Sequence, residues 1–138
     1  MSEGKKVAVM ACAGMEKAFG SVALLSVFKA AEELRPDETV LVALPPLLTG
    51  VITYVDLVKE LPVIVVDGCA ERCATKSVAK NGGKIGGRIL VIDSVKKYGL
   101  SPDSASHIGP KGEKLAERIA KDVASLVDKA LGRKTENG

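Results

Sequence analysis

The sequence predicts an α/β protein: a three-layer sandwich in which a four-stranded parallel sheet of the Rossmann or flavodoxin type carries helices on both faces. Short runs of Val, Ile, Leu and Ala alternate along the 138-residue chain with longer segments whose apolar residues recur at helical spacing. Aromatic residues make up only 3% of the chain and Trp is absent, so aliphatic side chains must build the core, as in strands buried on both faces. The length fits one domain, to which we assign residues 1–138, with a frayed tail at 133–138.

The first half of the chain predicts two strands with a helix between them. Residues 6–12 (KVAVMAC) form the first strand, and a loop with two glycines, Gly14 and Gly20, follows. Residues 21–34 have apolar side chains at helical spacing, and the sequence Arg-Pro-Asp stops this helix at residues 35–37. Residues 39–44 (TVLVAL) predict the second strand, which ends at two prolines.

The second half continues the alternation. Residues 51–61 predict a helix, although its β-branched content is high, and residues 62–66 predict the third strand. A short helix follows at 70–80, and the sequence Asn-Gly-Gly closes it before a tight turn that extends to residue 87.

The fourth strand is predicted at residues 88–92 (RILVI). Residues 96–109 form a polar connection that contains His107, the only histidine. A long amphipathic helix at 113–131 ends the domain.

The topology is expected to bring the three cysteines of the chain together. Alternating strands and helices favour right-handed crossovers, and we expect the strand order 2-1-3-4. Ligands of such sheets lie beyond the carboxyl ends of the strands, where the strand order reverses. Cys12 ends the first strand, and Cys69 and Cys73 follow the third, so all three share one crevice in this arrangement.

The cysteine spacing predicts a zinc site. Cys69 and Cys73 are four residues apart at the start of a helix, so they lie on the same helical face, as the two histidines of H-E-x-x-H do. With Cys12 they supply three thiolates for a tetrahedral Zn²⁺. Water, a substrate or a side chain would take the fourth position, and His107 and Asp67 are the candidate side chains.

Two other interpretations of the same residues stay open. The start of a helix stabilises a thiolate, so Cys12 and Cys69 are also candidate catalytic thiols for sulfur transfer or thiol/disulfide chemistry. Alternatively, the cysteines are small buried hydrophobic residues of a non-catalytic interaction module. Spacing alone does not separate metal binding from thiol chemistry.

Three glycines are weaker candidates for a cofactor site. Gly14 and Gly20 lie in the loop after the first strand and Gly68 lies in the turn after the third, where backbone N–H groups can hold an anion. The loop matches neither G-x-G-x-x-G nor a P-loop, so a plain glycine turn is the simpler interpretation. Asp67, in turn, is a candidate cap of the following helix.

With these residues identified, the chain resembles the DGC-domain family, whose members are named for a central Asp-Gly-Cys. The matching elements are, in chain order, Cys12-Ala13-Gly14, Phe19-Gly20, Asp67-Gly68-Cys69-x-x-x-Cys73-Ala74 and Gly82-Gly83-Lys84. The resemblance runs from about Lys6 to the last helix and implies a zinc site at Cys12, Cys69 and Cys73. Relatives carry further cysteines at the positions that correspond here to Leu41 and Val63.

Composition and charge exclude several classes of function. The net charge of +3, from 20 basic and 17 acidic residues, is too balanced for a nucleic-acid-binding protein. No apolar run reaches the roughly 18 residues of a membrane span, and the first residues leave no room for a signal peptide. We therefore expect a cytoplasmic protein, in which clustered cysteines are metal ligands or reactive thiols rather than disulfides. Open edge strands allow a homo-oligomer.

Overall fold

Four strands and four helices make up the described part of the chain. The computed structural model describes residues 7–12, 18–42, 56, 58–68, 73–102 and 107–132. The strands are β1 (Val7–Cys12), β2 (Thr39–Leu41), β3 (Pro62–Asp67) and β4 (Lys84–Leu90). The helices are α1 (Ala18–Lys29), α2 (Cys73–Lys80), α3 (Val91–Tyr98) and α4 (Gly109–Ala130). Residues 58–60 are also helical, as predicted for that segment.

The strands form one parallel sheet in the order β2-β1-β3-β4, which confirms the predicted fold class and strand order. The two central strands, β1 and β3, pair from Ala8 with Val63 to Cys12 with Asp67. The carboxyl ends of β3 and β4 also coincide, because Asp67 is paired with Leu90. The carboxyl ends of β1, β3 and β4 therefore lie side by side at one edge of the sheet.

Alternating side chains of the central strands build two separate core layers. One face of the sheet contributes Val7, Val9, Ile64 and Val66 to a cluster with buried residues of α1 and α4. The other face contributes Ala8, Met10, Val63 and Val65 to a cluster with Val58 and Val78. Both layers are aliphatic, as the composition predicts, and together they make the three-layer sandwich.

The last strand begins earlier than predicted. The glycines at 82–87 were expected to form only a turn, and the strand to span residues 88–92, but β4 runs from Lys84 to Leu90. A bulge lies in this strand, because Val63 pairs with Ile85 and Ile64 with Gly87. A Cβ atom on Gly87 would lie 3.1 Å from both terminal carbons of Leu126. The glycine therefore permits the close approach of α4 to the sheet.

One helix was missed. The polar connection predicted at 96–109 overlaps α3, which starts at Val91 directly after β4 without any loop. The apolar residues Val91 and Ile92 continue the pattern of the strand, so the sequence favoured a longer strand there. Gly99 ends the helix in the left-handed conformation, with φ of 68°, and its N–H donates to the carbonyl of Val95 at 2.9 Å.

The boundaries of the first helix also differ. Helix α1 begins at Ala18, so Gly20 lies in its first turn rather than in the preceding loop. A π-helical turn, Ala30–Leu34, continues α1 to the predicted end, and the N–H of Arg35 donates to the carbonyl of Ala30 at 2.8 Å. The predicted second strand extends to residue 44, of which residues 43 and 44 lie outside the described residues.

A pair of charged side chains orients the longest helix. Arg35 Nε donates to Asp128 Oδ1 at 2.9 Å, and Arg35 Nη2 donates to Asp128 Oδ2 at 2.7 Å. Arg35 precedes β2, so this bidentate pair holds the end of α4 at the amino edge of the sheet. The start of α4 consequently lies toward the carboxyl edge. None of the helices in the described ranges has the length and apolar content that a membrane span needs.

Candidate functional site

The carboxyl edge of the sheet brings two of the three cysteines to the same region of the backbone. Cys12, the last residue of β1, is the register partner of Asp67 at the end of β3. Cys73 is the first residue of α2, and Thr75 of that helix contacts Asp67. Cys69 lies outside the described residues, as do the side chains of Cys12 and Cys73.

Asp67 is the best-defined polar side chain at this edge. Only 2% of the residue is exposed, and the hydroxyl of Thr75 donates a hydrogen bond of 2.5 Å to its Oδ2. A buried carboxylate needs such donors because burial removes it from water. The contact fixes the first turn of α2 over the end of β3. Sequence reasoning identified Asp67 but missed Thr75, whose only signal was its place two residues after Cys73.

A second buried hydroxyl lies on α2 near the same edge. Ser77 is four residues after Cys73, which places the two residues on one face of the helix. Ser77 is 4% exposed, and its Oγ has no hydrogen-bond partner among the described residues. Buried hydroxyls are rarely left without a partner. The Ser77 hydroxyl is thus a buried group that can donate a hydrogen bond, and it lies one helical turn from Cys73.

The candidate fourth ligand His107 lies apart from the other residues in sequence. It is exposed and precedes α4 by two residues, so it lies on the carboxyl-edge side of the molecule. No group of three or more Cys, His, Asp or Glu side chains that could hold a metal occurs within the ranges described above. The roles of His107 and Asp67 as ligands stay predictions.

The three glycine candidates fall in different environments. Gly14 lies outside the described residues, Gly20 is buried in α1, and Gly68 is buried directly after β3. Anion binding by these glycines stays a prediction.

The positions at which the family resemblance implies further cysteines, Leu41 and Val63, are remote from this edge. Val63 lies four residues before Asp67 on β3, about 13 Å along the strand, and it is fully buried. Leu41 pairs with Val9, about 10 Å along the sheet from Cys12. Cysteines at these positions would not reach a metal held by Cys12, since a Zn–S bond is only about 2.3 Å long. The presence of Leu41 and Val63 in place of cysteines therefore removes no ligand from a metal site at the carboxyl edge.

Two cavities that the sequence did not predict lie beside the site and share four lining residues. A cavity of about 130 Å³ is lined by Asp67, Arg88, Ile89, Leu90 and Asp93. All of these residues except Asp67 also line a larger cleft of about 410 Å³ between β4, α3 and α4.

Tyr98 connects α3 to α4 beside the larger cleft. Its hydroxyl donates to Asp122 Oδ2 at 2.7 Å, and the Nζ atom of Lys97 lies 5.1 Å from the ring centroid. The Cζ atom of Arg118 lies 5.5 Å from the centroid of the same ring. Burial, followed by the hydrogen bond and the negative charge of Asp122, raises the pKa of Tyr98 above 10.0.

The comparison with protein families matches most of the chain. The sequence model described as the DGC domain matches residues 8–119, from β1 into α4. The match includes Cys12, the Asp-Gly-Cys of residues 67–69, and Cys73. No curated protein matches the chain, and no solved structure matches it.

We expect Thr75→Val to destabilise the protein by about 1–3 kcal/mol, because the substitution keeps the side-chain shape and removes a donor to buried Asp67. Urea denaturation measures the free energy of unfolding. Thr75→Ser, which retains the hydroxyl, is the matched control. Equal stability of the Val and Ser variants would contradict the role assigned to this hydrogen bond.

We expect the Tyr98 hydroxyl to titrate above pH 10.0, and Asp122→Asn to lower its pKa. The raised pKa means that the protonated phenol favours the fold, so its contribution to stability is present below pH 10.0 and declines as the pH rises through the folded-state pKa. Tyrosinate absorbance in a Tyr54→Phe background reports Tyr98 alone, since the chain has 2 tyrosines.

Asp93→Asn is the control for this titration, because Asp93 lines the same cleft and is not a cause of the Tyr98 shift. It should leave the Tyr98 pKa unchanged. A Tyr98 pKa that is the same in the Asp122→Asn and unsubstituted proteins would show that Asp122 does not act on the phenol.

Proposed function

The chain belongs to the DGC-domain family, and on that basis we propose that it binds Zn²⁺ through Cys12, Cys69 and Cys73 at the carboxyl edge of the sheet. The supporting observation is the pairing of Cys12 with Asp67, together with the bond from Thr75 to that same Asp67. The segment that contains Cys69 connects Asp67 to Cys73.

The donor chemistry of the region suits zinc. Thiolates are preferred ligands of Zn²⁺, and three of them leave one coordination position for water or a substrate. The start of a helix favours the anionic form of a nearby thiol, because its first N–H groups have no partner within the helix. The Ser77 hydroxyl, for which the described residues offer no partner, lies one turn after Cys73 and is a donor of the kind that stabilises a bound thiolate.

The chain's own groups would hold this site in place. The hydrogen bond between Thr75 and Asp67 anchors the first turn of α2 to β3, and thereby fixes the position of the Cys73 backbone. Asp67 is buried and adjacent to Cys12 in register, so it is the carboxylate best placed to act on the fourth position. A zinc ion, when bound, supplies a Lewis acid to whatever occupies that position.

Metal analysis tests the proposal directly. We expect about one zinc per chain in protein purified without chelator, and a decrease in zinc affinity of more than about tenfold in each of Cys12→Ser, Cys69→Ser and Cys73→Ser. Substitution with Co²⁺ adds a second readout, because thiolate ligands give a charge-transfer band that each serine variant should weaken.

The control for surface binding is Glu60→Gln, which removes an exposed carboxylate from the helical segment before β3. Its zinc affinity should equal that of the unsubstituted protein. Absence of zinc after purification, with no binding on addition, would refute the proposal. Retention of full affinity in the cysteine variants would refute the assigned ligands.

Thiol chemistry is the second candidate function, and the position of Cys73 favours it. Exposed Lys76 lies three residues after Cys73 on α2, and a nearby cation favours the thiolate form of a cysteine. The same cysteines would then serve sulfur transfer or thiol/disulfide exchange, with one thiolate as the nucleophile.

The pH dependence of alkylation separates this candidate from a site that only binds metal. After zinc removal, a working nucleophile should react with iodoacetamide with a midpoint well below about pH 8.5. The serine variants identify which thiol is responsible. Midpoints at or above about 8.5 for all three cysteines would rule out an activated nucleophile.

The remaining hypothesis, a non-catalytic interaction module, rests on a different surface. Leu24 and Phe28 are 42% and 40% exposed, and they lie one turn apart on α1. These two side chains form an apolar patch that is small for a stable protein–protein interface, so it would support only a weak contact. We also propose a cytoplasmic location, because a reducing compartment keeps clustered cysteines available as ligands or nucleophiles.

A further inference from the structure

Positive charge is concentrated on two adjacent elements, α2 and β4. Residues 73–92 contain no acidic residue, and a basic residue occurs at every fourth position from 76 to 88: Lys76, Lys80, Lys84 and Arg88. The net charge of the whole chain is +3, so this segment alone accounts for it. A surface with one sign of charge attracts partners of the opposite sign and speeds their association.

All four cations are exposed. In the part of the chain that the structure describes, none of them has a carboxylate oxygen within 4.0 Å. Exposed Lys59 adds to their charge, because its Cε atom lies 3.6 Å from the point that a Cβ atom on Gly82 would occupy, in the turn between α2 and β4. We call the five side chains the basic surface: Lys59, Lys76, Lys80, Lys84 and Arg88.

The sheet register places Arg88 on the same side of the sheet as the lysines of α2. Arg88 is paired with Val65, whose side chain belongs to the core layer that contains Val78 of α2. Lys76 and Lys80 lie two residues before and after buried Val78, so they are on the solvent side of the helix. The cations of α2 and Arg88 of β4 therefore border the same layer of the molecule.

Strand β4 is an edge of the sheet. It is last in the strand order, and among the described residues only β3 pairs with it. Gly86 is exposed, and since glycine has no side chain, its exposed atoms belong to the backbone. Strand β4 spans seven residues, whereas β2 at the opposite edge spans three. An edge of this length presents N–H and C=O groups to which another strand can add.

The charge of this edge determines which kind of strand can pair with it. A second copy of β4 would bring Lys84 and Arg88 close to the same cations of the copy, and like charges on paired strands destabilise the pairing. A nucleic acid is not favoured either, because residues 73–92 contain no aromatic side chain on which bases could stack. An extended segment with acidic side chains matches both the charge and the backbone of the edge.

We propose that β4 binds an acidic, extended segment of a partner protein, which adds to the edge of the sheet as a further strand while its carboxylates contact the basic surface. Backbone hydrogen bonds supply affinity in this mode of recognition, and the side chains supply specificity. The guanidinium of Arg88 can hold a carboxylate with two parallel hydrogen bonds, and each lysine adds a point charge. None of the five cations is a proposed metal ligand, so this inference goes beyond the zinc proposal.

The test measures the fluorescence anisotropy of labelled peptides that are titrated with the full-length protein. In the first peptide Glu and Val alternate, which favours an extended strand. The second peptide has the same sequence and charge, but its peptide groups are N-methylated and cannot donate hydrogen bonds. We expect the first peptide to bind at least about tenfold more tightly, because several backbone hydrogen bonds are lost in the second. Its affinity should decrease as the salt concentration rises.

Two double variants that remove the same charge make the test specific for this surface. Lys84→Gln with Arg88→Gln should weaken binding of the first peptide by about fivefold or more, because both cations lie on the pairing strand. Lys114→Gln with Lys121→Gln removes two exposed cations from α4 and should change the affinity by less than about twofold. Circular dichroism shows whether each variant is folded.

Three results would overturn the proposal. Equal affinity for the two peptides, or equal weakening by the two double variants, would show that charge alone acts and that no strand is added. Tighter binding of a single-stranded oligonucleotide of equal charge than of the first peptide would assign the basic surface to nucleic acid. Because no cysteine takes part, these results would leave the zinc proposal unaffected, and an absence of zinc would likewise leave the strand-binding proposal unaffected.

Discussion

The parallel pairing of β1 with β3 is the constraint on which the arrangement of this molecule depends. These strands are separated in sequence by α1, β2 and a helical segment, yet their register brings Cys12 beside Asp67 at the same edge. A shift of one residue would exchange the two faces of β3 and move Val63 and Val65 out of their layer. The buried aliphatic layers on both faces thus fix the register, and the register positions the polar residues at the end of the strands.

The features that follow from local pattern were predictable from the sequence. Runs such as VIVV predict a strand in the interior of a parallel sheet, because both faces of such a strand are buried and must be apolar. Chirality and short connections then limit the topologies to a few, and the order β2-β1-β3-β4 is one of them. The position of Cys12 at the end of its strand follows from the same logic, as does the start of a helix near Cys73.

What could not be predicted depends on contacts between residues far apart in the chain. The two glycines of β4 resemble a turn until Leu126 is known to pack against Gly87, 39 positions away in the sequence. Helix α3 begins with residues of strand character, and its apolar face is defined by packing against α1 and α4. The bond from Tyr98 to Asp122 likewise exists only once α4 lies beside α3.

The absence of a loop between β4 and α3 relates the cleft to the carboxyl edge. Because α3 starts one residue after β4, Asp93 in its first turn stays within the cavity that contains Asp67. In parallel sheets, the segments that follow the strands usually build the ligand site, and a longer connection here would separate the two cavities. With the direct transition, Arg88 and Asp93 line both cavities. Asp67 therefore shares a cavity with residues of the β4–α3 transition, and the segment after Asp67 carries the cysteines.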